Sequence, residues 1–344
     1  MDSRPRFSIV MPVYNVAPYL EDSLGSVTAQ VCDDYEVVLV DDGSTDGSGA
    51  RCDAFAAERP GRVTVVHQEN QGLLMARRAG LARARGAYIV TLDSDDCLRA
   101  DALSVLSDAI ERWEPDIIAF EYSRSERFRP YGPAALGLEP GLYGEDRYVE
   151  LKRLVCRGYH NNLWSKAFRR RVVDIDADYS AHRGMTHAED LLQLLPVVDR
   201  GRTFAACAEP LYYYRPNPGS ATKSYRPRQL DDLEVALGSL VAYADAWGGA
   251  CPELARRSAL LQCGYLLHML VADGSDKPVR RVEFDRLGAY AHEAGLFGPW
   301  MAGLRVDKRK EAEALQAGDY ERACRIVRAF ELAKRVRDLG ASWR

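Results

Sequence analysis

Thr91-Leu92-Asp93-Ser94-Asp95-Asp96 follows directly on the apolar run Ala87-Tyr88-Ile89-Val90, so three carboxylates stand where a β-strand ends. In an open α/β sheet, the carboxyl ends of the strands face the crevice in which ligands bind. Carboxylates this close repel one another unless a cation joins them, and hard oxygen ligands suit Mg²⁺ or Mn²⁺. Mg²⁺ is usually shared with substrate phosphates rather than caged by protein, so the Asp-x-Asp spacing points to a metal that holds a diphosphate. The plainer alternative is an Asp-rich turn ahead of a helix near Asp101. The flanking sequence decides between them.

Upstream, Phe7 to Val13 is an apolar run that predicts a buried strand. Pro18 marks a helix start, with Tyr19, Leu20, Leu24 and Val27 as its apolar face. Tyr35 to Val40 predicts a second strand, closed by the turn chemistry of Asp41-Asp42-Gly43-Ser44-Thr45-Asp46-Gly47 and followed by a helix through Phe55. Val63 to Val66 predicts a third strand, and Asn70-Gln71-Gly72 opens a helix that runs through Arg77 and Arg78 to Ala84. The acidic cluster ends the fourth strand, and Asp116 to Phe120 predicts a fifth. Strands alternating with helices at this pace mean an α/β sandwich with a largely parallel sheet.

Downstream the rhythm changes. Ser123 to Tyr143 is rich in Arg, Pro and Gly and reads as a long loop over the sheet edge. A helix is expected over 147–155. Thr186-His187-Ala188-Glu189 fits a capping box at the head of a helix that continues through Val198. Thr203 to Ala206 and Leu211 to Tyr214 predict two short strands. From Pro227 onward the pattern is helical, with segments at Leu230–Trp247, Leu254–Ala272, Leu287–Ala294 and Tyr320–Leu339.

The 344 residues allow two or three domains. An apolar content of 47% and a charged content of 28% are those of a globular protein with a sizeable core. A net charge of −4 gives no reason to expect a nucleic-acid partner. The eight cysteines form no Cys-x-x-Cys pair, which favours reduced thiols in a cytoplasmic setting over a disulfide frame or a zinc site. Met1 to Arg6 is polar and charged, unlike a secretory leader, and no apolar run approaches membrane-spanning length.

Six motifs occur in one order: Pro12-Val13-Tyr14-Asn15, Val40-Asp41-Asp42-Gly43-Ser44-Thr45-Asp46, Asn70-Gln71-Gly72 with Ala76-Arg77, Asp93-Ser94-Asp95-Asp96, Glu189-Asp190, and Pro210-Leu211-Tyr212-Tyr213-Tyr214-Arg215. Together they resemble the family-2 inverting glycosyltransferases of GT-A fold, over about the first 225 residues. Arg78 departs from the pattern, since the family often has Asn after the Ala-Arg pair. The resemblance implies a Rossmann-like, mixed but mostly parallel sheet flanked by helices. It divides the chain into a nucleotide-sugar-binding half (1–122), an acceptor-side half (123–225) and a helical C-terminal domain (226–344).

The implied activity is metal-dependent transfer of a sugar from a nucleotide-diphosphate donor, a UDP-sugar, to a hydroxyl of a saccharide or lipid-linked saccharide in cell-surface polysaccharide biosynthesis. The donor would lie against Pro12, Val13 and Tyr14, with Tyr14 stacked on the base and Asp42, or Asp41, accepting the base N–H. Asn70 and Gly72 stand at a helix start that favours anions. Arg77, two turns in, would reach a phosphate or pair with an acid from the strand ends. Asp93, Ser94 and Asp95 would serve the ribose and the Mn²⁺ or Mg²⁺, with Asp95 the direct ligand beside Asp93, and Asp96 structural. Asp190 would be the general base, against the plainer account of a first-turn acid that favours the helix dipole.

Trp164, Lys166, His187 and Glu189 are acceptor-side candidates, with core packing an equal account of Trp164. Arg215 and Ser220 would sit on a loop that closes over the diphosphate. The basic, amphipathic segment Tyr320–Leu339 suits peripheral contact with the cytoplasmic face of a membrane, or packing on its own domain. A homo-oligomer is compatible with all of this. The rival outside enzymology is a catalytically inactive nucleotide-sugar binder. A phospho-acceptor receiver would carry its acids after the first and third strands, and a sugar nucleotidyltransferase would carry a Gly-rich basic loop after the first; neither pattern is present.

Overall fold

The computed structural model describes residues 4–129, 136–216, 225–226, 228–273 and 276–341, with side chains in the last helix as far as Lys334. The chain forms two compact units, Met1–Val155 with Tyr159–Pro218, and Cys156–Gly158 with Gly219–Arg344.

The first unit is built on a mixed sheet. Its strands are β1 (Phe7–Val13), β2 (Tyr35–Asp41), β3 (Val63–His67), β4 (Tyr88–Thr91), β5 (Cys97–Leu98), β6 (Ile117–Ser123), β7 (Gly141–Tyr143), β8 (Lys166–Arg169) and β9 (Phe204–Tyr213). The order across the sheet is β3-β2-β1-β4-β8-β6-β9-β5, with β7 also on β9. The strands β3, β2, β1 and β4 are mutually parallel. Every residue of β1, β2 and β4 is buried, as expected of parallel strands covered on both faces. Beyond β4 the pairing turns antiparallel through β8. β8 comes from a segment whose single apolar alternation was too short to predict it.

The helices of this unit are α1 (Ala17–Thr28), α2 (Ser48–Ala57), α3 (Leu73–Arg83), α4 (Ala102–Trp113), α5 (Val149–Cys156) and α6 (Glu189–Arg200). Gly80 lets α3 lie close on the sheet: a Cβ there would stand 2.5 Å from Val10 Cγ1 and 3.2 Å from Val40 Cγ2. This close approach aims the start of α3 at the ends of β1 and β2. The expected pair of strands at 203–206 and 211–214 is one strand, β9, which follows β6 in parallel across two register shifts near Glu121. The stretch expected as a continuous loop over 123–143 ends in a strand, β7, paired to β9; part of it lies outside the described residues.

The second unit is helical: α7 (Arg228–Trp247), α8 (Cys251–Ala272), α9 (Lys277–Glu293), α10 (Val306–Gln316) and α11 (Tyr320–Ala341). α9 begins ten residues before the expected segment at Leu287, and α10 has no counterpart in the sequence reading. Both carry too many charges for a clean apolar stripe. Tyr320, Cys324 and Val327 on α11 are buried within the unit, and Tyr320 packs edge-on to Phe284 at 5.4 Å. The first half of that apolar face is therefore occupied by its own domain, while Leu332 further along is exposed. Among the described residues no helix is long and apolar enough to cross a membrane.

Candidate active site

A cleft of about 510 Å³ opens over the carboxyl ends of β1, β2 and β4. It is lined by Pro12, Val13, Tyr14, Asp42, Asn70, Gly72, Leu73, Ala76, Asp93, Ser94, Asp95, Gly184 and Thr186. Every residue expected to bind a donor is on this wall except Asp41 and Arg77. Tyr14 is 52% exposed, an aromatic face offered to the cleft rather than spent in the core.

The two acids after β2 face different ways. Asp41 accepts from the Ser44 amide at 3.0 Å and pairs with His67 Nδ1 at 2.9 Å, away from the cleft lining. Burial works against its charge, but the Ser44 and His67 bonds outweigh that and hold its pKa below the ordinary value. Asp42 accepts from Gln68 Nε2 at 2.6 Å and from the amides of Gln71 and Gly72 at 2.9 and 2.8 Å. A carboxylate offers about four acceptor positions, so one remains toward the cleft. These bonds fix the turn into α3. Gly72 has φ +89°, and a side chain there would meet Gly184 Cα at 3.2 Å, so two strands of backbone touch across the cleft wall at this point.

The acidic turn is clamped from below. Tyr212 donates to Asp96 at 2.8 Å and accepts from the Asp93 amide at 3.1 Å. The Arg215 amide donates to Asp96 at 2.8 Å, and its guanidinium binds the Asp95 carbonyl at 2.9 Å and Asp22 at 3.0 Å. Burial, with Asp93 and Asp95 nearby, pushes Asp96 up to about 8. Asp96 thus supports the turn rather than facing the cleft. Arg215 is likewise a brace under the turn, with Tyr19 and Tyr213 against its guanidinium, rather than a cation poised over a diphosphate; Ser220 lies outside the described residues. Arg215→Ala is therefore expected to lower stability by about 1.5–3 kcal/mol, the scale of a lost charged hydrogen bond, in urea titration. A change under about 0.3 kcal/mol would show that the brace carries nothing.

Behind the acidic turn stands Arg77, 1% exposed. Its Nη2 donates to Asp93 at 2.8 Å, and its Nη1 lies 3.6 Å from Glu189 and hydrogen-bonds Asp190. A guanidinium presents a rigid fork that can hold several carboxylates in fixed places. Burial opposes its charge, and Asp190, Asp93 and Glu189 outweigh that and raise its pKa. Of the two roles considered for Arg77, its burial leaves only the pairing with acids. Asp190 also accepts from the Leu163 amide at 3.3 Å. Burial pushes the carboxyls of both Glu189 and Asp190 above the ordinary range, with Arg77 pulling against it.

The helix expected to start at Thr186 starts later. α6 begins at Glu189, with Ala188 as its N-cap at φ 58° and no side-chain cap. Glu189 is turned to Arg77 instead, while Thr186 lines the cleft. A left-handed conformation is uncommon for a residue with a Cβ and is held here next to the paired acids.

Trp164 and Lys166 do not meet an acceptor. Trp164 is stacked on Tyr212 at 4.7 Å and Tyr214 at 5.3 Å, edge-on to Tyr122. Lys166 is fully buried and donates to the Asn162 carbonyl and amide oxygens at 2.6 and 3.0 Å; burial pushes it down to about 7 against the pull of Asp190. His187 is half-buried and outside the cleft lining. Gly184 and Thr186 are cleft residues that sequence reasoning missed, since they sit in a segment without periodicity. Tyr212 was visible as part of a motif but not as the brace of the acidic turn.

Among the described residues no three His, Cys, Asp or Glu side chains converge as a metal cage. Asp93 and Asp95 do share the cleft, the donor set suited to a hard cation completed by phosphate oxygens and water.

Comparison with known proteins adds four findings. Residues 8–175 match the family described as "Glycosyl transferase family 2". The chain is 31% identical over 278 residues to the uncharacterized glycosyltransferase EpsJ of Bacillus subtilis (strain 168), covering 80% of this chain and 79% of that one. It is 38% identical over 116 residues to the glycosyltransferase GlyG of Streptococcus pneumoniae serotype 4, covering 33% of this chain and 38% of that one. In structure it resembles S. aureus TarS 1-349 in complex with UDP-GlcNAc, with a TM-score of 0.71, 95% of this chain and 92% of that one covered, and 15% identity, a likeness that speaks for the fold.

Proposed function

We propose, for a chain that belongs to glycosyl transferase family 2 and is a glycosyltransferase, that it transfers a sugar from a UDP-linked donor to a hydroxyl of a saccharide or lipid-linked saccharide, inverting the anomeric carbon. One observation carries this reading: Arg77 joins Asp93 of the cleft wall to Asp190, so the acids expected for the donor and for the base belong to one ion-pair cluster. The complex of S. aureus TarS with UDP-GlcNAc supports the choice of nucleotide.

The geometry supports the following roles. Tyr14 offers its ring to the base, and the remaining acceptor position of Asp42 suits a ring N–H. The first turn of α3, from Leu73, would offer its amides to the diphosphate, those of Gln71 and Gly72 being held by Asp42. Asp95, beside Asp93, would hold Mg²⁺ or Mn²⁺, which when bound supplies positive charge against the departing diphosphate. Asp190 takes the proton of the attacking hydroxyl, held in place by Arg77 and the Leu163 amide. A single base facing the anomeric carbon opposite the leaving group gives inversion. A membrane contact forms no part of this reading: Tyr320, Cys324 and Val327 of α11 are buried in its own unit, although Leu332 is exposed.

Asp95→Ala separates the enzyme from an inactive binder. UDP with Mn²⁺ at about 100 times its Kd should stabilise the native chain by ~2.7 kcal/mol, and Asp95→Ala should lose that stabilisation together with donor hydrolysis. Mn²⁺-dependent stabilisation that survives Asp95→Ala would place the metal elsewhere. Stabilisation without any turnover in the native chain would favour the inactive binder.

A further inference from the structure

Three buried polar atoms take no part in the bonds described so far. Nε of Arg77, Oγ1 of Thr91 and Oε1 of Gln193 have no hydrogen-bond partner among the described residues. The three residues are 1%, 2% and 5% exposed. An unpaired buried donor or acceptor costs about 1–3 kcal/mol, so three in one neighbourhood call for a common partner. They have one place in common: all three residues line a cavity of about 20 Å³ on the α3–α6 side of the sheet, separate from the cleft. A water needs roughly 10–15 Å³ of such volume and typically makes about three hydrogen bonds.

We propose that this cavity is a binding site for a single ordered water, which accepts from Arg77 Nε–H, donates to Gln193 Oε1 and shares a hydrogen bond with the Thr91 hydroxyl. The donors and acceptors match: Arg can only donate, the amide oxygen can only accept, and the hydroxyl can do either. The water completes the coordination of Arg77. Asp93, Glu189 and Asp190 hold its two terminal nitrogens, and the water holds the third. Thr91 and Gln193 are thereby positioning residues, acting on the base Asp190 through Arg77. Thr91 ends β4 and Gln193 sits one turn into α6, so the water also ties the strand that carries the acidic turn to the helix that carries the base.

The departure at Arg78 belongs to the same site. Its guanidinium binds the carbonyls of Asp174 and Ala177 and lies 5.0 Å from the Tyr179 ring. Arg78, Asp174 and Tyr179 all line the cavity. Arg78 thus holds the 174–179 segment as a roof over the water.

A crystal structure of the full chain, at a resolution that shows ordered solvent, tests the site without reference to activity. Density within hydrogen-bond distance of Arg77 Nε, Thr91 Oγ1 and Gln193 Oε1 is expected; an empty cavity, or side chains that pair directly with one another, overturns the site. The positioning role rests on the function proposed above and is tested by kinetics. Thr91→Val with Gln193→Met should lower kcat about tenfold, the lower end of the loss seen when outer groups that orient active residues are removed, with the donor KM unchanged. Thr91→Ser, which keeps the hydroxyl, should return the turnover that Thr91→Val loses. A raised KM at unchanged kcat, or no rescue by Ser, overturns the role. Absence of transfer and hydrolysis in the native chain would overturn the proposed function instead, and the density would still decide the water.

Discussion

Asp190→Asn lowers turnover by about 10²–10⁴-fold, the usual contribution of a positioned general base, while donor affinity stays close to that of the native chain. The two side chains have nearly the same shape, so an amide oxygen can still accept from Arg77, and the cleft residues that face the donor are untouched. What is lost is the second acceptor oxygen and the capacity to take a proton. The base must be ionised to act, and burial holds the Asp190 carboxyl above the ordinary range. Turnover of the native chain should therefore fall as the pH drops through that raised pKa, and the variant's small residual rate should lack this acid limb. Donor titration calorimetry alongside transfer kinetics checks both parts. A turnover within about threefold of native would remove Asp190 from the role, since a positioned base typically contributes about 10²-fold or more.

Arg77→Met should cost about 3–5 kcal/mol of stability, the scale on which breaking a buried ion pair is measured. Methionine fills much of the volume, so packing is a small part of the effect. The larger part is electrostatic: Asp93, Glu189 and Asp190 lose the cation that faces all of them. Glu189 and Asp190 answer by taking up protons, which moves the acid limb of turnover to higher pH, because the cation that does most to hold the Asp190 pKa down is gone. Urea unfolding and a pH–rate profile of the same variant test the two consequences. A stability within about 1 kcal/mol of native would mean the cluster is solvated rather than held as a unit.

The parallel core and most of the cleft were legible in the chain because they rest on local signals. β1, β2 and β4 are short apolar runs closed by turn residues, and the acids at their ends are adjacent in sequence to those runs. The Asp93–Asp95 pair could be placed at the ligand crevice on that basis, while Tyr14, Asp42 and Asn70 joined it through the resemblance of their motifs to a known family. What local signals do not carry is the partner of a buried charge. Arg77 was assigned either to a phosphate or to an acid, and only the packing of α3 against α6 settles it. Thr186 and Glu189 have the spacing of a capping box, yet the helix begins only at Glu189, and an arginine from another helix draws that carboxylate to it. Lys166 and Trp164 follow the same rule, since nothing in their neighbours reveals that both side chains turn inward. β8 and α10 were missed for a different reason: one is too short and the other too charged to show a period.

The central claim is that one cleft holds the nucleotide and a cation on the acids after β4. The direct measurement is anomalous scattering from Mn²⁺ in crystals of the full chain grown with UDP. The account predicts a single manganese peak bound by Asp95, with UDP phosphate beside it and the base against Tyr14. A manganese peak away from Asp95, or UDP bound outside this cleft, would contradict it.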